Sequence, residues 1–447
     1  MLEIAKKALD HAAATGADQA EVFANNTRST RIRVYRQEVE ELASSTGSGV
    51  GIRVFRGDTA GFAYTSDLSD SALAATARAA SDNAAINAGD RFMGLPRPSE
   101  SFPELDLYSE KLGATPLAGK IELVKKLEKT ALDRDTRISQ VDSATYAEGE
   151  GEVGIANSLG FSRQFKENTC YAFLQAIAEA DGQMQTGMSF TTGRDPDQLE
   201  AAACGREAAD RALSLLGGTQ CESMNCVVIM DPFVASSLIG VIGSVLTGES
   251  VQKKRSMFAG LVGQQVANGI FTLTDDGIHP DGLASAPFDG EGVPMGETAL
   301  IKGGVLQGYL YDTYTARKDG CESTGNGVRG SYRSQPHVGA TNLRLVGGAT
   351  PQVEMIASVD KGFYVMEASG IHSGANPVSG DFSVGASGLL IRDGQLAEPV
   401  REVVIAGNLM TILKNINMVG DDKRWVPFGG SIQAPSLLIG EMTVSGK

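Results

Sequence analysis

The sequence Cys170-Tyr171-Ala172-Phe173-Leu174 lies between two turn sequences, Asn157-Ser158-Leu159-Gly160 and Asp181-Gly182. The run is rich in aromatic and other strand-forming residues, and an Asp-Gly pair is a strong signal for a tight hairpin. This stretch therefore predicts antiparallel β-structure over residues 136–192.

Helical and strand patterns alternate in the residues on either side of this stretch. The predicted helices are 2–16, 69–88, a third that begins at Thr115-Pro116 and a fourth from Asp195-Pro196 to Gly217-Gly218, and the predicted strands lie within 30–66, with a turn at Arg56-Gly57-Asp58-Thr59. Residues 1–218 are therefore expected to form an N-terminal α+β domain in which helices pack on an antiparallel sheet.

The second half of the chain begins with an apolar strand pattern at Asn225–Met230. Asp231-Pro232 then predicts the start of a helix over Phe233–Leu246, which is apolar nearly all round and is therefore expected to be buried. Strand patterns separated by glycine turns follow to the end. The sequence thus predicts an α+β protein of two domains, the second (219–447) being β-rich with one buried helix.

Charge and cysteine content restrict the classes of function. The chain has 39 Lys and Arg against 54 Asp and Glu, a formal charge of −15, which argues against nucleic acid or an anionic membrane as a partner. Its five cysteines are an odd number without the density of a disulfide scaffold, and the N-terminus lacks the apolar run of a signal peptide. The uncharged run Pro232–Gly248 is too short to span a bilayer. A soluble, cytoplasmic protein is expected.

Familiar catalytic motifs are missing from the sequence. It contains no Walker A loop, no Gly-x-Ser-x-Gly nucleophile motif, and no pair of histidines on one predicted helix that would make H-E-x-x-H. The residues alone therefore indicate a two-domain protein without a visible catalytic centre.

Seven segments of the second half resemble the TldD/PmbA family, once described as modulators of DNA gyrase. These segments, in chain order, are Ser256–Gly260, Asp275–Gly277, Phe288–Pro294, Gly304–Tyr309, Ser323–Gly327, Asn376–Gly388 and Ala406–Leu409. The resemblance implies an α+β fold of two domains and a cytosolic complex of two related chains that degrades or trims peptides.

The TldD-type chain of that family carries H-E-x-x-x-H on a helix and a late cysteine as a further zinc ligand. The matching positions in this sequence are Ile239, Gly240, Ser244 and Phe428. Isoleucine and phenylalanine have no donor atom, glycine cannot act as a base, and serine is not a usual zinc ligand. The resemblance therefore implies a TldE (PmbA) type chain that is catalytically inactive alone and binds no metal. Zinc is expected in an H-E-x-x-x-H partner chain.

Two glycine-rich loops, Ser323–Gly330 and His372–Asp381, combine polar side chains with glycines, a composition typical of sites where a ligand meets backbone. We predict that they contact the peptide substrate, and the residues concerned are Asn326, Arg329, His372, Asn376 and Asp381. Three alternatives stay open: that the loops only pack the domain, that the chain is a stand-alone module that binds and delivers peptides, and that it is a hydrolase with an unrecognised site. A homodimer in isolation is also left open.

Overall fold

The first half of the chain builds one six-stranded antiparallel sheet in the order β3-β2-β1-β4-β5-β6. The computed structural model, which describes residues 1–428 and 430–447, gives these strands as Gln19–Tyr35 (β1), Glu38–Arg56 (β2), Thr59–Thr65 (β3), Ile138–Asn157 (β4), Ser162–Ala180 (β5) and Gln183–Gly193 (β6). The predicted turn at Asp181-Gly182 joins β5 to β6, and both of its residues have positive φ, 51° and 73°. The predicted hairpins are confirmed.

β1 begins at Gln19 rather than near Thr30, where the sequence predicts the first strand. Its early residues Glu21 and Asn25 are polar yet buried, because this end of the sheet packs against the second half of the chain. Buried polar residues hide the apolar alternation that marks a strand in a sequence.

Helices cover one face of this sheet. Their bounds are Leu2–Ala13 (α1), Asp70–Ile86 (α2), Glu110–Ala114 (α3), Leu117–Leu132 (α4) and Ala201–Ser214 (α5), with a 3-10 turn at Pro196–Gln198. The fourth predicted helix starts later than expected because Asp195-Pro196 caps the 3-10 turn instead. α2 lies directly on β3 at Gly61, where an added Cβ would stand 2.0 Å from the carbonyl oxygen of Ala80.

The second half forms two six-stranded sheets and a two-stranded ribbon. One sheet has the order β16-β15-β14-β7-β20-β17 and is partly closed by a pairing of β16 with β20. The other sheet has the order β10-β9-β8-β13-β19-β18. The ribbon consists of β11 and β12. The strands are Met224–Met230 (β7), Leu273–Asp276 (β8), Glu297–Lys302 (β9), Val305–Leu306 (β10), Gly327–Val328 (β11), His337–Val338 (β12), Asn342–Leu345 (β13), Lys361–Ser369 (β14), Asp381–Arg392 (β15), Gln395–Asn408 (β16), Ile416–Val419 (β17), Arg424–Val426 (β18), Ser431–Ala434 (β19) and Leu437–Ser445 (β20).

The predicted buried helix is confirmed at Pro232–Val245 (α6). The Asp231 carboxylate accepts a hydrogen bond from the backbone N–H of Phe233 and caps its start. α6 packs against strands of both sheets, which buries most of its side chains. Short helices also occur at Gly248–Gln252 (α7), Thr313–Asp319 (α8), Gln352–Ala357 (α9), Ile371–Gly374 (α10) and Leu409–Lys414 (α11). The sequence did not predict them, because one or two turns are too short for a helical period to show.

Arginine side chains join the two halves of the chain. The guanidinium of Arg194, at the end of the first sheet, donates hydrogen bonds to four backbone carbonyls: those of Leu107 and Asn168 at 3.1 Å, Gly282 at 3.2 Å and Pro280 at 3.4 Å. Two of these carbonyls belong to each half. The boundary predicted at residue 218 falls between α5 and β7, and the division into two domains there stays a prediction.

None of the helices in the described residues is both long enough and apolar enough to cross a membrane.

Candidate functional site

A cleft of about 310 Å³ opens beside the second half of α6. Gly240, Gly243 and Ser244 of α6 form one wall, and the opposite wall comes from β19 and the residues that lead into β13. The cleft therefore lies beside Gly240 and Ser244, two of the four positions at which the resemblance implies zinc ligands in TldD-type chains. Its volume is at the lower end of the size range of small-ligand sites.

The predicted zinc positions on α6 provide almost no ligand atoms for a metal ion. Ile239 is fully buried in the apolar core of the second half. A Cβ added to Gly240 would stand 3.0 Å from Cδ1 of Ile432, so β19 approaches the helix closely at this point. Ser244 is exposed, and its hydroxyl donates to the carbonyl oxygen of Val241 at 2.7 Å. Its proton is thus engaged within its own helix.

Phe428, at the position of the late cysteine, belongs to an aromatic cluster. Its ring meets those of Phe173 and Phe190 edge-on, with centroids 5.9 and 5.1 Å away, and Phe190 meets Phe233 in the same way at 5.2 Å. Edge-to-face contacts of this kind stabilise packing between aromatic rings. Phe428 does not line the cleft beside α6, and its surroundings in this cluster are apolar.

The charged groups near the cleft do not form a metal site. Glu249 lies at its rim and pairs with Lys253 at 2.7 Å. Zinc in proteins is bound by cysteine, histidine and carboxylate ligands, usually four in a structural site and three in a catalytic one. Among the side chains that the structure describes, no group of three or more from histidine, cysteine, aspartate or glutamate could hold an ion. Zinc does not fit the donor set of this cleft.

Asn326, one of the predicted substrate-binding residues, lies behind the cleft. Its amide donates to the Asp275 carboxylate at 2.6 Å and to the carbonyl oxygen of Gly339 at 3.1 Å, and its own oxygen accepts from Thr324 at 2.6 Å. Asp275 also accepts two hydrogen bonds from Thr341, yet burial still raises the pKa of its carboxyl group. Asn326 thus holds the cleft wall in place, and its contact with substrate stays a prediction.

Arg329, the second predicted residue, has a completely buried side chain and pairs with Glu21 of β1. Glu21 also receives two hydrogen bonds from Arg53, at 3.0 and 3.2 Å, and Arg53 donates to Glu291 at 3.2 Å. Burial opposes ionisation of Glu21, but the two guanidinium groups outweigh it and lower the pKa of this carboxyl group. These four side chains, which we call the buried charge network, join the first sheet to the second half.

Asp289 adds a titrating group beside this network. Burial, followed by repulsion from Glu291, raises the pKa of Asp289 to about 8, although the carboxyl group accepts hydrogen bonds from three backbone N–H groups. Sequence reasoning missed the participation of Glu21, Arg53 and Glu291, because their pairing joins positions far apart in the chain.

The other predicted residues lie between the start of α10 and the start of β15. Asn376 and Asp381 are exposed and linked, since the backbone N–H of Asn376 donates to the carbonyl oxygen of Asp381 at 2.7 Å. The Asn376 side chain accepts from Val378 and Ser379, which closes the loop on itself. The side chain of His372 lies outside the described part of the structure. Among the described residues, Asn376 and Asp381 share no hydrogen-bond partner with Asn326 or Arg329.

Comparison with family models finds three matches that cover most of the chain. They are described as PmbA/TldA metallopeptidase domain 1 for residues 20–84, the central domain for 110–216 and the C-terminal domain for 223–446. The C-terminal model alone spans half of the chain.

Individual proteins are similar over nearly their whole length. The metalloprotease PmbA of Escherichia coli O157:H7 is 30% identical over 460 residues, with 100% of this chain and 98% of the relative covered. A TldD homologue of Haemophilus influenzae is 29% identical, covering 91% and 89%.

Solved structures give the same result for the fold. A candidate modulator of a DNA gyrase from Thermotoga maritima superimposes with a TM-score of 0.91 at 27% identity, covering 99% of each chain. TldE from Thermococcus kodakarensis has a TM-score of 0.92 at 22% identity, covering 99% of this chain and 100% of its own, which shows the shared fold.

Proposed function

This chain belongs to the PmbA/TldD metallopeptidase family, and we propose that it is the zinc-free, TldE-type subunit of a two-chain peptidase. Its partner is a TldD-type chain with H-E-x-x-x-H, which supplies the zinc and the catalytic base. The complex cleaves unfolded peptides or trims peptide precursors. The observation that carries the proposal is the donor set at α6, where isoleucine, glycine and serine replace the two histidines and the glutamate.

The chemistry of peptide hydrolysis supports this assignment. A zinc peptidase needs a Lewis acid to polarise the scissile carbonyl and a base to activate water. On α6, Ile239 and Gly240 have neither a metal donor nor a base, and the Ser244 hydroxyl donates to its own helix. A subunit of this composition contributes binding surface and not the bond-breaking step.

The rest of the chain suits a subunit that shapes a chamber. The buried charge network and the four carbonyl contacts of Arg194 connect the two halves, so they present a stiff wall to a partner. Peptides commonly bind such walls as an added strand on a sheet. The five cysteines are free thiols, which fits a reducing compartment such as the cytoplasm.

The test is reconstitution with a TldD-type chain that carries H-E-x-x-x-H. The two chains are purified separately, then measured alone and as an equimolar mixture for co-elution and for cleavage of an unfolded fluorogenic peptide. We expect the mixture to elute as one complex and to cleave the peptide, while this chain alone is inactive.

Two other results would replace the proposal. Tight peptide binding without any complex would identify a stand-alone delivery module. Cleavage by this chain alone, unaffected when Ser244 is replaced, would identify a hydrolase with its site elsewhere. As a control, a partner variant with its motif glutamate replaced by glutamine should still co-elute but not cleave.

A further inference from the structure

A second pocket, of about 230 Å³, lies on the face of the first sheet that carries no helices. Ile32 and Val34 of β1 point into the core beneath α4 and α5, so Arg31 and Arg33 between them point to the opposite face. This pocket is separate from the cleft beside α6, and it is lined by none of the predicted substrate-binding residues whose side chains the structure describes.

The strand register arranges the pocket in two rows. One row runs from Arg31 across Ala147 to Tyr171, and the next from Arg33 across Thr145 to Phe173. With neighbouring strands about 5 Å apart, the basic and aromatic ends of each row are separated by about 10 Å. The short side chains of Ala147 and Thr145 leave the space between them open.

The two ends of the pocket differ in chemistry. At one end, Arg33 lies 2.8 Å from Glu40 and donates to the carbonyl oxygen of Asp142 at 2.9 Å, so its charge is already paired. Glu41, opposite Arg33 in the strand register, brings a carboxylate to the same end of the pocket. Arg31 is exposed, and among the described residues its guanidinium forms no ion pair within 4 Å. At the other end, Phe173 and Phe428 form an apolar wall, their centroids 5.9 Å apart.

We propose that this pocket binds a peptide carboxylate next to an apolar side chain, the carboxylate on Arg31 and the side chain against Phe173 and Phe428. A guanidinium with spare donors is well suited to a carboxylate, and an aromatic wall to an apolar residue. The carboxylate is supplied either by the C-terminus of a peptide or by an acidic side chain. The inference rests on the proposed function for the peptide nature of the ligand and adds a preference for one end of the substrate.

Binding to the full-length chain alone tests the proposal, since neither partner nor zinc is then needed. The probe is a short unfolded peptide that ends in phenylalanine, labelled with a fluorophore at its N-terminus and followed by anisotropy. Three forms are compared: the free acid, the C-terminal amide, and the amide with a glutamate before the phenylalanine. We expect the free acid to bind about tenfold more tightly than the plain amide, the effect of one charge-assisted hydrogen bond.

The third peptide separates the two sources of carboxylate. If its affinity equals that of the free acid, a side-chain carboxylate serves as well; if it equals that of the plain amide, the site is specific for a C-terminus. Either result supports the proposal. Equal binding of all three forms, or no binding of any, would overturn it.

Variants of the chain locate the effect. Arg31→Gln should reduce binding of the free acid to the level of the amide and leave the amide unchanged, whereas Phe428→Ala should weaken both. The matched control is Arg28→Gln, since Arg28 is an exposed arginine of the same strand on the opposite face, 3.9 Å from Glu150. If Arg28→Gln weakens binding as much as Arg31→Gln, the pocket is not the site. Cleavage by the reconstituted complex is measured in a separate experiment. If the pocket does not bind the peptide, the assignment of this chain as a subunit is unaffected. If the two chains form no active complex, the binding result for the pocket is likewise unaffected.

Discussion

Replacing Glu21 by glutamine should strongly destabilise the protein, because Glu21 is the carboxylate that both Arg53 and Arg329 contact. The variant leaves Arg53 its second partner, Glu291, at 3.2 Å. It leaves the Arg329 guanidinium, fully buried and with two nitrogens already lacking an acceptor in the described structure, without a carboxylate in direct contact. Orphaning a buried charge typically costs about 3–5 kcal/mol of unfolding free energy, and we expect Glu21→Gln to fall in that range.

Replacing Arg329, the partner of Glu21, should cost less stability than replacing Glu21. In Arg329→Met, Glu21 still receives two hydrogen bonds from Arg53, so it loses only one of its two partners. We expect the unfolding free energy to fall by about 1–2 kcal/mol. The double variant Glu21→Gln/Arg329→Met removes the orphaned cation and should be more stable than the sum of the single changes predicts.

Urea unfolding of the full chain, followed by far-ultraviolet circular dichroism, measures these differences as shifts in midpoint at constant slope. Glu3→Gln is the matched control, because its carboxylate makes an exposed pair with Lys6 at 2.8 Å and should change stability by less than about 0.5 kcal/mol. A loss below about 1 kcal/mol for Glu21→Gln, or strict additivity in the double variant, would refute the account of the network.

Two further predictions concern pH and packing. Because burial and Glu291 raise the pKa of Asp289 to about 8, the folded chain holds a proton that the unfolded chain releases near pH 4, so this group should make stability fall as pH rises from about 4 to 8. Urea midpoints across that pH range should therefore decline more steeply for the wild type than for Asp289→Asn. If the midpoints of the two proteins change with pH in parallel, the raised pKa of Asp289 is contradicted. Gly61→Ala should displace α2, because the new Cβ would stand 2.0 Å from the carbonyl oxygen of Ala80. We expect this variant to lose about 1–3 kcal/mol of unfolding free energy. Gly113→Ala is the control, because Gly113 has open space around it and the change should not destabilise the chain.

Local patterns predicted much of the fold. The Asp181-Gly182 turn and the run at Cys170 indicated antiparallel strands because hairpin pairing depends on residues close in sequence. The helix after Asp231-Pro232 was equally accessible, since its cap and its apolar circumference both lie within one short segment. Such elements are recognisable before any tertiary contact is known.

Tertiary pairing determined what could not be predicted. The side chain of Arg329 pairs with Glu21, 308 positions earlier in the chain, and the sequence did not predict this pairing. The strand start at Gln19 was missed for the same reason, because buried polar residues there face the second half. The predicted contact of Arg329 with substrate stays a prediction. The assignment of the family's zinc positions to this chain stays a prediction. The pocket at Arg31 could not be predicted, because it depends on the register of three strands.

Zinc content tests the central claim most directly. The chain is purified alone without chelators, equilibrated with zinc, freed of unbound metal and analysed by inductively coupled plasma mass spectrometry, with the H-E-x-x-x-H partner as positive control. The account predicts no stoichiometric zinc in this chain and one ion per chain in the partner. One zinc per chain here, lost when Cys221, Cys226 or His372 is replaced, would contradict it and would mean that this chain has a metal centre of its own.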